Sequence, residues 1–153
     1  MMKTASDVIA RLQGKTLVTA ESLTGGGIGA VLTGIPGASK VYLGGVISYS
    51  DAVKHHVLGV PQDILERLGA VSAETARYMA DGARKLLHAD MAVSVTGLAG
   101  PDADAFGNPV GTVFIGYADE NQVTAGEYHF SGDREAVRNQ TIAAALVLIL
   151  RHI

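Results

Sequence analysis

At 153 residues the chain suits one domain burying roughly two thirds of its unfolded surface, and with 48% hydrophobic but only 5% aromatic residues its core must be aliphatic and alanine-rich. A formal net charge of -3 with no basic block argues against a nucleic-acid surface, which needs clustered Lys and Arg. Cysteine is absent, which excludes disulfides, thiolate zinc sites and a thiol nucleophile.

Taken in order, Ser6-Asp7 can cap a first helix whose face carries Val8, Ile9 and Leu12, ended by Gly14. No secretory pattern is visible at the amino terminus, and the longest apolar run, Ile142 to Leu150, falls short of the roughly 18 residues of a membrane helix. A cytoplasmic protein without membrane contact is expected. A strand over about Thr16 to Ala20 then leads through Glu21-Ser22-Leu23-Thr24-Gly25-Gly26-Gly27 into a helix over Thr24 to Leu32. Ser22 therefore stands where open α/β sheets hold their ligands, beside glycine-rich backbone N–H groups. It can attack a carbonyl or simply cap the helix. The stretch is neither a phosphate loop, for want of a following Lys, nor a G-x-S-x-G elbow.

Next comes a β-rich run, Val41 to Ser50, whose Gly44-Gly45 pair suggests a bulge or a close backbone approach. Ser50 or Asp51 caps a short helix carrying Lys54, Pro61 opens another over Gln62 to Leu68, and Ser72 opens a longer one through His88. Ala76, Met79, Ala80, Ala83, Leu86 and Leu87 form its expected buried stripe. The strand Met91 to Val95 empties into the glycine-rich Thr96-Gly97-Leu98-Ala99-Gly100-Pro101, and residues 102–109 read as loop. Val110 to Tyr117 and Val123 to Phe130 make a hairpin, and a helix capped by Ser131 or Asp133 runs to about Arg151. Its second half is apolar all round, which predicts burial against the sheet or another subunit, hence a homodimer or larger homo-oligomer. The order αβαβαααβββα predicts a layered α/β/α domain over residues 1–153, with a mixed sheet of about five strands.

A neutral serine needs a base. None of the five histidines sits at a glycine-rich strand end with a following acid, so a Ser-His-Asp triad is unsupported. Lys54 lies one turn into the helix after the Tyr49-Ser50 strand end, so Tyr49 and Lys54 can converge on the sheet edge that carries Ser22; a solvated lysine and a packed tyrosine would fit the same spacing.

Ala20-Glu21-Ser22-Leu23-Thr24-Gly25-Gly26, Gly45-Val46-Ile47-Ser48-Tyr49-Ser50 with Lys54, Gly69-Ala70-Val71-Ser72, Thr96 to Pro101, Pro109-Val110-Gly111-Thr112-Val113, and Phe130-Ser131-Gly132-Asp133-Arg134 with Arg138 together resemble the CinA C-terminal domain family. The motifs keep the family's order and span nearly the whole chain. What the resemblance implies is hydrolysis of the carboxamide of nicotinamide mononucleotide to nicotinate mononucleotide and ammonia. Its serine nucleophile falls on Ser22, its lysine base on Lys54 and its assisting tyrosine on Tyr49, with no metal or organic cofactor.

On that reading Lys54 must be neutral at working pH, and backbone N–H groups around Leu23, Thr24, Gly25 and Gly26 would meet the oxyanion. The phosphate would be held by the Thr96, Gly97, Ala99 and Gly100 strand end, by the amides of Gly111 and Thr112, and by Arg138. Glu21 would balance the pyridinium charge or cap a neighbouring segment. Two departures from the family pattern stand out. Leu23 replaces a common cysteine, and Ala103 to Asn108 replaces a glycine- and lysine-bearing loop. The same glycine-rich edges would also serve a non-catalytic nucleotide-binding module, and the apolar last helix an assembly module.

Overall fold

Five strands pair in the order β2-β1-β3-β4-β5: β1 is Leu17–Glu21, β2 Tyr42–Ile47, β3 Met91–Gly97, β4 Thr112–Ala118 and β5 Val123–His129. A computed structural model describes all residues, 1–153. The first three strands in space run parallel and the last two join antiparallel, so the sheet is mixed, as expected. The chain leaves β1 toward β2 and leaves β3 toward β4, in opposite directions. This divergence opens a crevice beyond the carboxyl ends of β1 and β3, where doubly wound sheets bind their ligands.

The helices are α1 Met2–Arg11, α2 Gly27–Thr33, α3 Asp51–His56, α4 Gln62–Leu68, α5 Ala73–Leu86 and α6 Arg134–Arg151, with one 3-10 turn at Ala38–Lys40. Side-chain alternation along β1 sorts them into layers. Leu17 joins a 22-residue, largely aliphatic core with α1, α2 and α6, whereas Val18 and Ala20 join a 9-residue core under α4 and α5. By the same alternation Thr19 and Glu21 face the larger core, and Ser22, just past the strand, faces the side of the smaller one.

Several boundaries differ from expectation for identifiable reasons. α1 begins at Met2, so Ser6 and Asp7 lie inside it and cap nothing. Residues 22–26 form a tight turn and α2 starts only at Gly27, because Gly25 and Gly26 take φ of 59° and 98°, left-handed values that glycine tolerates. Leu86 is exposed on the last turn of α5. Ser50, Ser72 and Asp133 do cap α3, α5 and α6 through their side chains. The Gly44-Gly45 pair serves both roles: pairing jumps from Tyr42 to Gly44 opposite Leu17 and Val18, and a Cβ on Gly45 would overlap Thr19. α6 buries Val137, Thr141, Ile142, Ala145, Leu146 and Ile149 toward the sheet, but Val147 is exposed, so burial on every side is not met within one chain. No helix is long and apolar enough to cross a membrane.

Candidate active site

At the carboxyl edge of the parallel strands, three chain segments converge on one amine. Lys54, one turn into α3, is only 1% exposed, and its Nζ donates to Ser22 Oγ at 3.0 Å, to the Ser48 carbonyl at 2.8 Å and to the Tyr49 carbonyl at 3.1 Å. Burial pulls the lysine down from 10.5 to about 8, against a smaller opposing pull from Asp51. The two carbonyls decide how the neutral amine must sit. Each can only accept, so the two remaining N–H bonds go to Ser48 and Tyr49 and the lone pair faces the Ser22 hydroxyl. That is the orientation of a base prepared to take the serine proton. The histidines take no part here: His55 Nδ1 pairs with the Val60 carbonyl.

The nucleophile turn is held from both sides. The Arg138 guanidinium donates to the Leu23 carbonyl (Nε, 2.9 Å) and the Thr24 carbonyl (3.3 Å). In a trans peptide the N–H points opposite its carbonyl, so the Thr24 amide is aimed away from Arg138. The Gly25 amide is used inside the turn, donating to Ser22 O. The amides of Leu23, Thr24 and Gly26 donate to no protein group, and Leu23 lines the crevice.

That crevice measures about 490 Å³, within the range of small-molecule sites. Ser22, Leu23, Tyr49 and Lys54 form its floor; Thr96, Gly97, Ala99 and Gly100 form one wall; Asp102, Asp104 and Phe106 of the following loop form its rim. The amides of Ala99 and Gly100 have no protein acceptor. Thr96 spends its hydroxyl on the Ala70 carbonyl, so its contribution to the wall is shape.

Three expected phosphate contacts are corrected. The Gly111 amide donates to Leu98 O and the Thr112 amide to Pro109 O, and at Gly111, with φ 93°, the backbone closes against the Phe130 carbonyl. Neither residue lines the crevice, and neither does Arg138, whose guanidinium is turned to the turn's carbonyls. The cation that does reach the crevice is Arg134, donating to Gly100 O at 2.6 Å and to the Tyr49 hydroxyl at 3.2 Å. A signal for it exists in the sequence: a cation in the first turn of a helix opposes the macrodipole, so its placement there asks for another reason. Tyr49 is 62% exposed, and it is its carbonyl, not its hydroxyl, that touches Lys54.

The divergent loop is ordered by its own side chains. Asp104 accepts from the amides of Phe106 and Asn108 and from the Asn108 side chain, which also donates to Val71 O at 3.1 Å. Burial alone would raise the Asp104 carboxyl, but these hydrogen bonds outweigh it and hold it below its ordinary value.

Both the sequence and the fold have counterparts among known proteins. A family model described as the CinA C-terminal domain matches residues 2–153. A CinA-like protein of Geobacter metallireducens is 44% identical over 99% of this chain, and one of Synechococcus is 58% identical over 72%. The chain spans about a third of the length of such curated relatives, 37% of the Geobacter protein and 34% of a Thermotoga neapolitana one. Among solved structures, a competence-damaged protein (CinA) superfamily protein from Escherichia coli superposes with TM-score 0.97 at 34% identity, covering 99% of this chain and 90% of that one. A competence/damage inducible protein from Agrobacterium tumefaciens gives 0.94 at 36% identity, over 98% and 93%.

Proposed function

We propose that this chain, which belongs to the CinA C-terminal domain family, is an amidase that hydrolyses the carboxamide of nicotinamide mononucleotide through a serine acyl-enzyme with a lysine base. The observation carrying the reading is the 3.0 Å contact between Lys54 Nζ and Ser22 Oγ in a buried pocket. Nothing in a folded core requires an amine to be buried with two carbonyls and a hydroxyl as its only partners; desolvating that charge is costly and useful only if its proton is to move.

In the first step the Ser22 proton passes to Lys54 Nζ while Oγ bonds to the carboxamide carbon. The oxyanion so formed accepts from the Leu23 amide, with the Thr24 and Gly26 amides the nearest reserve; such a donor is typically worth about 3 kcal/mol. Lys54 then returns its proton to the leaving nitrogen as the C–N bond breaks, and ammonia departs. Water, deprotonated by the same amine, attacks the ester, and Lys54 hands that proton to the departing Ser22 oxygen as the carboxylate is released.

The crevice suits the rest of the substrate. Arg134 and the Ala99 and Gly100 amides would take the phosphate, a planar fork and two open N–H groups on one wall. Phe106 and Tyr49 offer aromatic faces to the pyridinium, and Asp51 and Asp102 offer opposite charge. We further propose that the exposed outward face of α6 at Val147 serves a homo-oligomer, which sizing in solution reads directly.

The test is ammonia release from nicotinamide mononucleotide. Wild type is expected to turn it over, and Ser22→Ala to be inactive while keeping its circular dichroism and binding the nucleotide. Full activity in that variant overturns the mechanism; saturable binding by wild type without product at any pH turns the reading into a non-catalytic nucleotide module.

A further inference from the structure

One buried ionisable group next to the nucleophile is left unused by the mechanism above. Glu21 is 2% exposed, and alternation along β1 places its carboxylate on the opposite face of the sheet from Ser22, so it cannot reach the substrate. All four of its acceptor positions are filled. Oε1 accepts from the Thr24 hydroxyl at 2.6 Å and the Ile28 amide at 2.8 Å; Oε2 accepts from the Thr19 hydroxyl at 3.1 Å and the Gly29 amide at 3.0 Å. The carboxylate therefore has no capacity left for a ligand cation.

Those donors have a geometric consequence. Thr24 sits in the middle of the nucleophile turn, and Ile28 and Gly29 begin the helix beyond it, so one carboxylate fastens the turn at two points on its far side while Arg138 grips its carbonyls on the other. Thr19, itself hydrogen-bonded to the Tyr42 hydroxyl at 2.7 Å, ties the same carboxylate back to the sheet. Between the two clamps lie the open amides of Leu23, Thr24 and Gly26.

We infer that Glu21 is a positioning residue that sets the Leu23, Thr24 and Gly26 amides for the oxyanion from the reverse face of the sheet. The inference rests on the amidase reading, and it separates rate from binding: the amides matter most in the transition state, so their displacement lowers kcat and leaves KM in place. Glu21→Gln keeps the shape but turns an NH2 toward two donors. Its expected effect is a fall in kcat of roughly 100-fold, the loss that follows from about 1 Å of misplacement, with KM within about threefold. Thr24→Val, which removes one donor and keeps the volume, is expected to lose roughly tenfold in kcat, and Thr24→Ser to recover most of that loss. Amide hydrogen exchange across residues 23–29 should quicken in Glu21→Gln. Unchanged kcat in Glu21→Gln overturns the inference, as does a loss that falls equally on binding. If Glu21→Gln does not fold, the Thr24 pair decides by the same criteria. If wild type releases no ammonia, the amidase reading fails by itself, and exchange at 23–29 as slow in Glu21→Gln as in wild type then overturns the clamp.

Discussion

Two strand ends meet in the crevice, and they are built on opposite plans. At the end of β1, Ser22, Leu23 and Thr24 are buried in a turn clamped by Glu21 on one face and Arg138 on the other, and set against a lysine 1% exposed. At the end of β3 the wall and its loop stand open: Asp102 and Phe106 are exposed, and the Ala99 and Gly100 amides have no protein acceptor. Burial at the first end shifts a proton affinity and holds donors in place, as acyl transfer would require. On the amidase reading, exposure at the second would admit a charged nucleotide and let it go. Chemistry and recognition are thus separated along one sheet edge, and substitutions at the two ends should fail in different ways.

The largest effect belongs to the buried end. Lys54→Met should lower kcat by about 1,000-fold, the middle of what a general base supplies. In wild type, activity should climb as pH rises toward about 8, where the amine loses its proton, and level off above it. The same group leaves a mark on stability. Its folded value of about 8 lies below the 10.5 of an ordinary lysine, so between these values the unfolded chain binds a proton that the folded chain does not. Stability contributed by Lys54 therefore rises with pH across that window and is lowest below about 8, by on the order of 3 kcal/mol. Groups common to both proteins cancel when wild type is compared with Lys54→Met by denaturant unfolding at pH 7 and pH 10.5. A difference that does not grow with pH would show that the amine is solvated, and would break the contrast between the two ends.

An intermediate effect is expected at the open end. Arg134→Gln should raise KM for the mononucleotide by about 10- to 100-fold, the worth of hydrogen bonds to a charged group, while kcat stays within about threefold. The riboside lacking phosphate should be handled equally by both proteins. A fall in kcat with KM unchanged would place Arg134 with the chemistry instead.

These two residues also mark what could be read before any fold was seen. Ser22 and Lys54 were legible mainly through the resemblance to the CinA C-terminal domain family; spacing alone put Ser22 just past a strand and Lys54 one turn into the next helix, where a solvated lysine fitted as well. The choice between the arginines was not. Arg134 and Arg138 lie four residues apart on one helix face, and periodicity cannot say which turn of that face abuts the crevice. Likewise the start of α2 was misplaced because its capping group is not the local Ser or Thr. It is a carboxylate reaching forward from inside β1, seven residues before the amide it caps. Gly111 and Thr112 looked like phosphate binders because their composition is right, yet their amides close the loop onto Leu98 and Pro109.

The smallest effect should come from the residue that belongs to both ends. Tyr49 gives its carbonyl to Lys54 and its hydroxyl to Arg134, so main chain and side chain serve different regions. Tyr49→Phe keeps the carbonyl and so keeps the lysine in place; what it removes is one hydrogen bond that steadies Arg134. On that account KM rises about fivefold, in line with roughly 1 kcal/mol for a single hydrogen bond. The fall in kcat stays under about tenfold, and the midpoint of the pH profile stays near 8. If the hydroxyl instead relayed the serine proton, kcat would fall by about 100-fold or more, the range of general acid-base contributions, and KM would hold. Steady-state kinetics across pH on this one variant distinguishes the two, because a positional role moves KM and a proton-transfer role moves kcat.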